Sequence, residues 1–101
     1  MATKERLYER KVKKPLDKKK KELLGEIVKK KLGGAIQRQE WNDNATTLTV
    51  TTQHVTFILS SDAESLYVDA EYSWLARFLV TEDNRKQARE MAMAIADEAG
   101  L

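Results

Sequence analysis

Residues 46–72 read Thr46-Thr47-Leu48-Thr49-Val50-Thr51-Thr52-Gln53-His54-Val55-Thr56-Phe57-Ile58-Leu59-Ser60-Ser61-Asp62-Ala63-Glu64-Ser65-Leu66-Tyr67-Val68-Asp69-Ala70-Glu71-Tyr72. This stretch decides the fold. From Thr46 to Thr52, Leu48 and Val50 point one way while Thr47, Thr49 and Thr51 point the other, the period of two of a half-buried strand. Val55 to Ser60 repeats the pattern with Val55, Phe57 and Leu59 on one face. Leu66 to Tyr72 sets Leu66, Val68 and Ala70 against Tyr67, Asp69 and Glu71. Ser61-Asp62-Ala63-Glu64 is rich in turn formers. Turning at Thr52-Gln53 pairs Val50 with Val55 and Leu48 with Phe57. Turning at Asp62-Ala63 pairs Leu59 with Leu66, Phe57 with Val68, and sets His54 opposite Glu71. Both hairpins then place their apolar side chains on one face, as a half-buried antiparallel meander requires.

Upstream, Ala35 to Trp41 reads as a further strand of open pairing, ended by Asn42-Asp43-Asn44. Before it, Leu16, Leu23, Leu24, Ile27, Val28 and Leu32 recur at helical spacing, so a helix is expected over Leu16–Leu32. Gly33-Gly34 stops it, and Lys29, Lys30 and Lys31 fill the last turn, where cations favour the helix dipole. Gly25 sits mid-helix and marks close packing. Residues 5–13 fit either a short edge strand guarded by charge or a basic tail. Downstream, Trp74, Leu75, Phe78 and Leu79 form a dense apolar patch, and Thr81 followed by Glu82 and Asp83 resembles an N-cap with acids in the first turn. Ala88, Met91, Ala92, Ile95 and Ala99 then recur at helical spacing up to Gly100. Either one helix spans 74–99 or two break near Thr81.

The expected architecture is α+β. An antiparallel sheet of three to five strands carries an N-terminal and a C-terminal helix on one face, in the order β-α-β-β-β-β-α. Residues 1–14 form a basic arm and residues 15–101 a single domain. Thr47, Thr49, Thr51, Thr56, Tyr67, Asp69 and Glu71 occupy the other sheet face, open to water or a partner.

Composition narrows the chemistry. The 101 residues are 42% hydrophobic and 34% charged, with a net charge of +2. Residues 1–31 carry 13 Lys/Arg against 5 Asp/Glu, whereas residues 32–101 carry 5 against 11. A basic third (+8) therefore precedes an acidic remainder (−6). Cysteine is absent and His54 is the lone histidine, which removes disulfides, thiolate nucleophiles, Cys-ligated zinc and His-pair chemistry. No cofactor motif is visible. No apolar stretch approaches the roughly 20 residues of a membrane span. Met1 to Arg6 has no apolar run and position 2 is Ala, so neither a secretory signal nor myristoylation is expected, and the expected setting is the cytoplasm.

The candidate surfaces are two. Lys18, Lys19, Lys29 and Lys30 lie on the polar side of the first helix and can contact an anionic surface, phosphates included. The plainer reading is a solvated face, since Glu22 and Glu26 share that side. Trp74 and Phe78 read first as core anchors and second as a hydrophobic docking patch. Trp41 reads as a lid on the core. Asp69 and Glu71 share a strand face at about 7 Å, a separation that suits paired acid chemistry, but on an open face they read as ordinary surface charge. His54 reads as the cross-strand neighbour of Glu71.

A basic amphipathic helix, the Trp-bearing turn Glu40-Trp41-Asn42-Asp43-Asn44, the runs Leu48-Thr49-Val50 and Val55-Thr56-Phe57-Ile58-Leu59, then Leu66-Tyr67-Val68-Asp69-Ala70-Glu71 leading into Ser73-Trp74-Leu75-Ala76-Arg77-Phe78-Leu79 and a closing helix, follow one another in order. Over residues 5–99 this order resembles the bacterial polyhydroxyalkanoic acid system proteins. The resemblance implies a cytoplasmic protein associated with polyester storage granules or their synthesis machinery, and it implies no catalytic residues. The expected function is a non-enzymatic accessory or binding protein whose partner is the granule or a protein on it. A basic nucleic-acid-binding module is the alternative.

Overall fold

The computed structural model describes residues 2–13, 15–43, 46–53, 55–73 and 81–101. Strand β1 (Ala2–Lys11) is followed by helix α1 (Lys18–Leu32) and a 3-10 turn (Gly33–Ala35). Then come β2 (Arg38–Trp41), β3 (Thr47–Thr51), β4 (Val55–Ser61), β5 (Ser65–Ser73) and helix α2 (Glu82–Glu98). The strands form one antiparallel sheet in the order β1-β5-β4-β3-β2. Leu48, Val50, Leu59 and Val68 pack with Leu24, Ile27 and Val28 of α1 and with Ala92, Ile95 and Ala96 of α2. Both helices therefore cover the same sheet face, and the fold is α+β in the expected element order.

The turns explain the register. Thr52 N donates to Val55 O at 2.9 Å, and Val55 N donates to Thr52 Oγ1 at 3.3 Å. The β3–β4 turn thus falls one residue later than at Thr52-Gln53. Val50 pairs with Phe57 and Leu48 with Leu59. In the next turn, Asp62 Oδ1 accepts from the backbone N–H of both Glu64 and Ser65 at 2.8 Å. This turn also moves one residue along, so Leu59 pairs with Val68 and Phe57 with Ala70. Each move shifts the pairing by two residues, and an even shift leaves every side chain on its face. The expected pairs Val50–Val55, Leu48–Phe57, Leu59–Leu66 and Phe57–Val68 are corrected, but the faces are not. Glu71 lies opposite Thr56, not His54; His54 itself lies outside the described residues.

The open pairing of the second strand is resolved. Gly33 takes φ +50° and starts the 3-10 turn, so the strand begins at Arg38 rather than Ala35 and pairs along β3. Asn42 closes that hairpin, its Oδ1 accepting from the N–H of Thr46 and Thr47 at 2.8 and 3.1 Å. Gln39 and Trp41 reach under α1 at Gly25. A Cβ there would stand 3.4 Å from Gln39 Nε2, which donates to Gly25 O at 3.0 Å.

Helix α1 begins at Lys18, two residues later than expected, because the side chain of Asp17 caps Lys20 N at 2.8 Å. Leu16 stays in the core from outside the helix. Periodicity puts Leu23 in the apolar stripe, yet it is exposed. At α2, Thr81 has extended backbone, and its Oγ1 accepts from Asn84 N. A single helix over 74–99 is thereby excluded. Residues 74–80, with Trp74 and Phe78, lie outside the described residues.

Strand β1 is an edge strand, with a bulge between Arg6 and Tyr8. The extra residue, Leu7, turns inward and packs with Ala70 and Tyr72. Bulging lets Leu7 and Tyr8 both pack on the helix side, which strict alternation would forbid. It also leaves Lys4, Arg6 and Glu9 beside Glu71, Asp69 and Tyr67.

Candidate binding surfaces

Three surfaces emerge. The first is the lysine side of α1. Lys18, Lys19, Lys29 and Lys30 are all exposed, as are Glu22 and Glu26 between them. Lys29 lies eleven helix positions after Lys18, about 16 Å at 1.5 Å per residue. The structure thus leaves two small cationic spots with carboxylates between, not one continuous patch. Their neighbours point the other way. Lys20 Nζ donates to Ala99 O at 2.7 Å, at the C-terminal end of α2, and Lys31 pairs with Glu98 at 3.1 Å.

The second surface is the sheet face that carries neither α1 nor α2. Thr47, Thr49, Thr51, Thr56 and Ile58 line its centre, each partly buried. Toward β1 it is more polar than alternation alone foretells. Asp69 is not an open surface charge; it is 4% exposed. Arg6 Nε and Nη2 donate to its two oxygens at 2.8 and 3.3 Å, and Lys4 stands 4.0 Å away. Such a two-pronged contact satisfies a buried carboxylate. It also holds Arg6 above its ordinary guanidinium pKa. The guanidinium lies 4.4 Å from the centre of the Tyr67 ring, whose hydroxyl donates to Asp62 at 2.9 Å. Glu71 sits across from Thr56 and Lys4. Asp69 and Glu71 therefore do not form the acid pair their spacing allows, because an arginine from the first strand engages one of them.

The third surface has no counterpart in the residue spacing. A cleft opens between the helix side of the sheet and the N-terminal half of α2. Arg85 of α2 donates from Nε to Glu5 Oε1 at 2.9 Å and from Nη2 to the Tyr72 hydroxyl at 3.3 Å. These contacts, Tyr72 first and then Glu5, hold Arg85 above its ordinary pKa. The bulge at Leu7 makes this possible by keeping Glu5 on the helix side. Glu5 belongs to a run of alternating charges, and nothing local distinguishes it. The one usable signal was its position two residues before Leu7.

Trp41 is half-buried and packs on the main core, as a lid would. Among the described residues, no group of three or more His, Asp or Glu side chains is arranged to hold a metal ion, and no helix is long and apolar enough to cross a membrane. Comparison with protein-family models, with curated proteins and with solved structures finds no match to the chain.

Proposed function

We propose that the protein is a non-enzymatic binding or accessory protein that works through the helix-free face of its sheet. The observation that carries this reading is the build of that face. Its central residues are uncharged threonines and one isoleucine on paired strands, and its buried carboxylate is held by Arg6 rather than presented for proton transfer. Rigid paired strands with partly buried, uncharged side chains make a docking platform with little ordering cost on association. The partner we assign is a bacterial polyester storage granule, or a protein of its synthesis machinery, in the cytoplasm. That assignment rests on the resemblance described above.

Co-sedimentation with polyhydroxyalkanoate granules tests it. The wild-type chain should pellet with granules, and Thr49→Lys/Thr56→Glu should stay in the supernatant while remaining folded. Titration with duplex and single-stranded nucleic acid at two salt concentrations tests the alternative. Binding that weakens steeply with salt, and disappears in Lys18→Ala/Lys19→Ala/Lys29→Ala/Lys30→Ala, would replace this reading with nucleic-acid binding.

A further inference from the structure

The cleft beside α2 consists of two chambers that meet at Phe57, Asn84 and Ala88. The inner one, about 230 Å³, lies between the helices and the sheet. Its walls include Val50, Leu59, Val68 and Ile95, all buried in the core. The outer one, about 490 Å³, has an apolar floor of Leu7, Val55 and Ala70. Its rim is polar, with Gln37, Thr52, Gln53, Tyr72 and the Glu5–Arg85 pair. The cleft therefore grades from a mostly apolar inner chamber, with Asn84 and Gln87 on its α2 side, to a more hydrogen-bonding mouth. Apolar cavities do not hold ordered water well, because a water there finds no partners. Ligand sites commonly span about 300–1,000 Å³ and pair a mostly apolar lining with a few polar groups that fix orientation.

The charge at the mouth restricts the head group. Arg85 is already engaged by Glu5 and Tyr72, and its Nη1 faces Glu82 at 3.7 Å. Among the described residues that line the cleft, Arg85 is the one cation and Glu5 and Tyr72 already engage it, so an anionic head finds no ready partner, whereas the amide and hydroxyl side chains suit a neutral donor and acceptor.

We propose that this cleft binds a single-chain amphiphile with a neutral, hydrogen-bonding head, its alkyl chain running past Phe57 and Ala88 into the inner chamber and its head held at the rim. The inference is independent of the polyester reading. It can stand if granules do not bind, and it can fail while they do.

The test uses 1-alkanols of six to twelve carbons and the alkanoates of equal length, each below its micelle concentration, titrated into the full chain by calorimetry and by amide NMR. Affinity for the alkanols should tighten about threefold to fourfold per methylene and then level off once the inner chamber is full. Amide shifts should concentrate at Val50, Phe57 and Ala88. Alkanoates should bind at least tenfold more weakly. Ala88→Leu narrows the junction and favours helix, so it should abolish the methylene increment. Tyr72→Phe should weaken binding severalfold while leaving the increment intact, and it serves as the independent variant if Ala88→Leu does not fold. No alkanol binding up to the solubility limit would overturn the proposal. So would equal affinity for alkanoates, increments that never level off, or unchanged binding in folded Ala88→Leu.

Discussion

A carboxylate on the polar side of a strand is ordinarily left to water. Asp69 is instead buried and depends on Arg6, 63 residues earlier in the chain. Arg6→Met leaves that carboxylate only the more distant Lys4, at 4.0 Å, and the thermal midpoint should fall by several degrees. Arg6→Met/Asp69→Val should recover most of the loss, because removing both charges also removes the cost of burying one alone. Thermal unfolding of the two variants measures this. Asp62 offers a pH signature. The N–H groups of Glu64 and Ser65 and the Tyr67 hydroxyl all donate to its carboxylate, the Glu64 N–H having the largest effect, and hold its pKa below the ordinary aspartate value. A carboxyl more acidic folded than unfolded stabilises the fold above the unfolded pKa of about 4. That contribution fades as pH falls from there through the folded pKa. Asp62→Asn should therefore flatten the acid limb of the melting temperature between about pH 5 and pH 3. Alternation made the face of Asp69 legible. Its burial was not, since nothing near residue 69 announces an arginine on β1.

At the scale of elements, patterns of two and 3.6 carried most of the fold. Strands β3 to β5 and both helices fall close to where their periodicity puts them, Leu23 and the start of α1 apart, because apolar spacing reports directly on which side is buried. What periodicity cannot fix is where a turn closes. Thr52 and Asp62 both bind backbone across their own turns, and each moves its hairpin by one residue. Thr81 is the clearer case. It reads as an N-cap, and its hydroxyl caps the first turn of α2. Thr81→Ala should cost about 1 kcal/mol in chemical denaturation, whereas Thr81→Asp should hold stability near the wild-type value. The bulge in β1 has no local mark either. It arises where Leu7 and Tyr8, adjacent in the chain, both find apolar neighbours under the helices. The third surface is hidden from the sequence pattern for that reason, since Glu5 faces α2 only because of the bulge.

Across the whole molecule, the split between a basic first third and an acidic remainder is partly satisfied within the fold. Arg10 pairs with Asp97 at 2.7 Å and donates to Leu101 O at 3.0 Å. Lys31 meets Glu98, and Lys20 meets the C-terminal end of α2. Basic residues of β1 and α1 thus clamp the last turn of α2, where carbonyls attract cations. Arg10→Met should raise native-state hydrogen exchange in residues 95–101 by about threefold while leaving β3 and β4 unchanged. The sheet order adds a matter of timing. β1 pairs with β5, the last of the described strands to be made. During synthesis at about 5–20 residues per second, β1 leaves the ribosome roughly 3–12 s before its partner strand. Through that interval Leu7 and Tyr8 travel between Lys4, Glu5, Arg6, Glu9, Arg10 and Lys11. The charges that later serve as clamps would first act as a guard, keeping a nascent strand soluble until the sheet is ready to receive it.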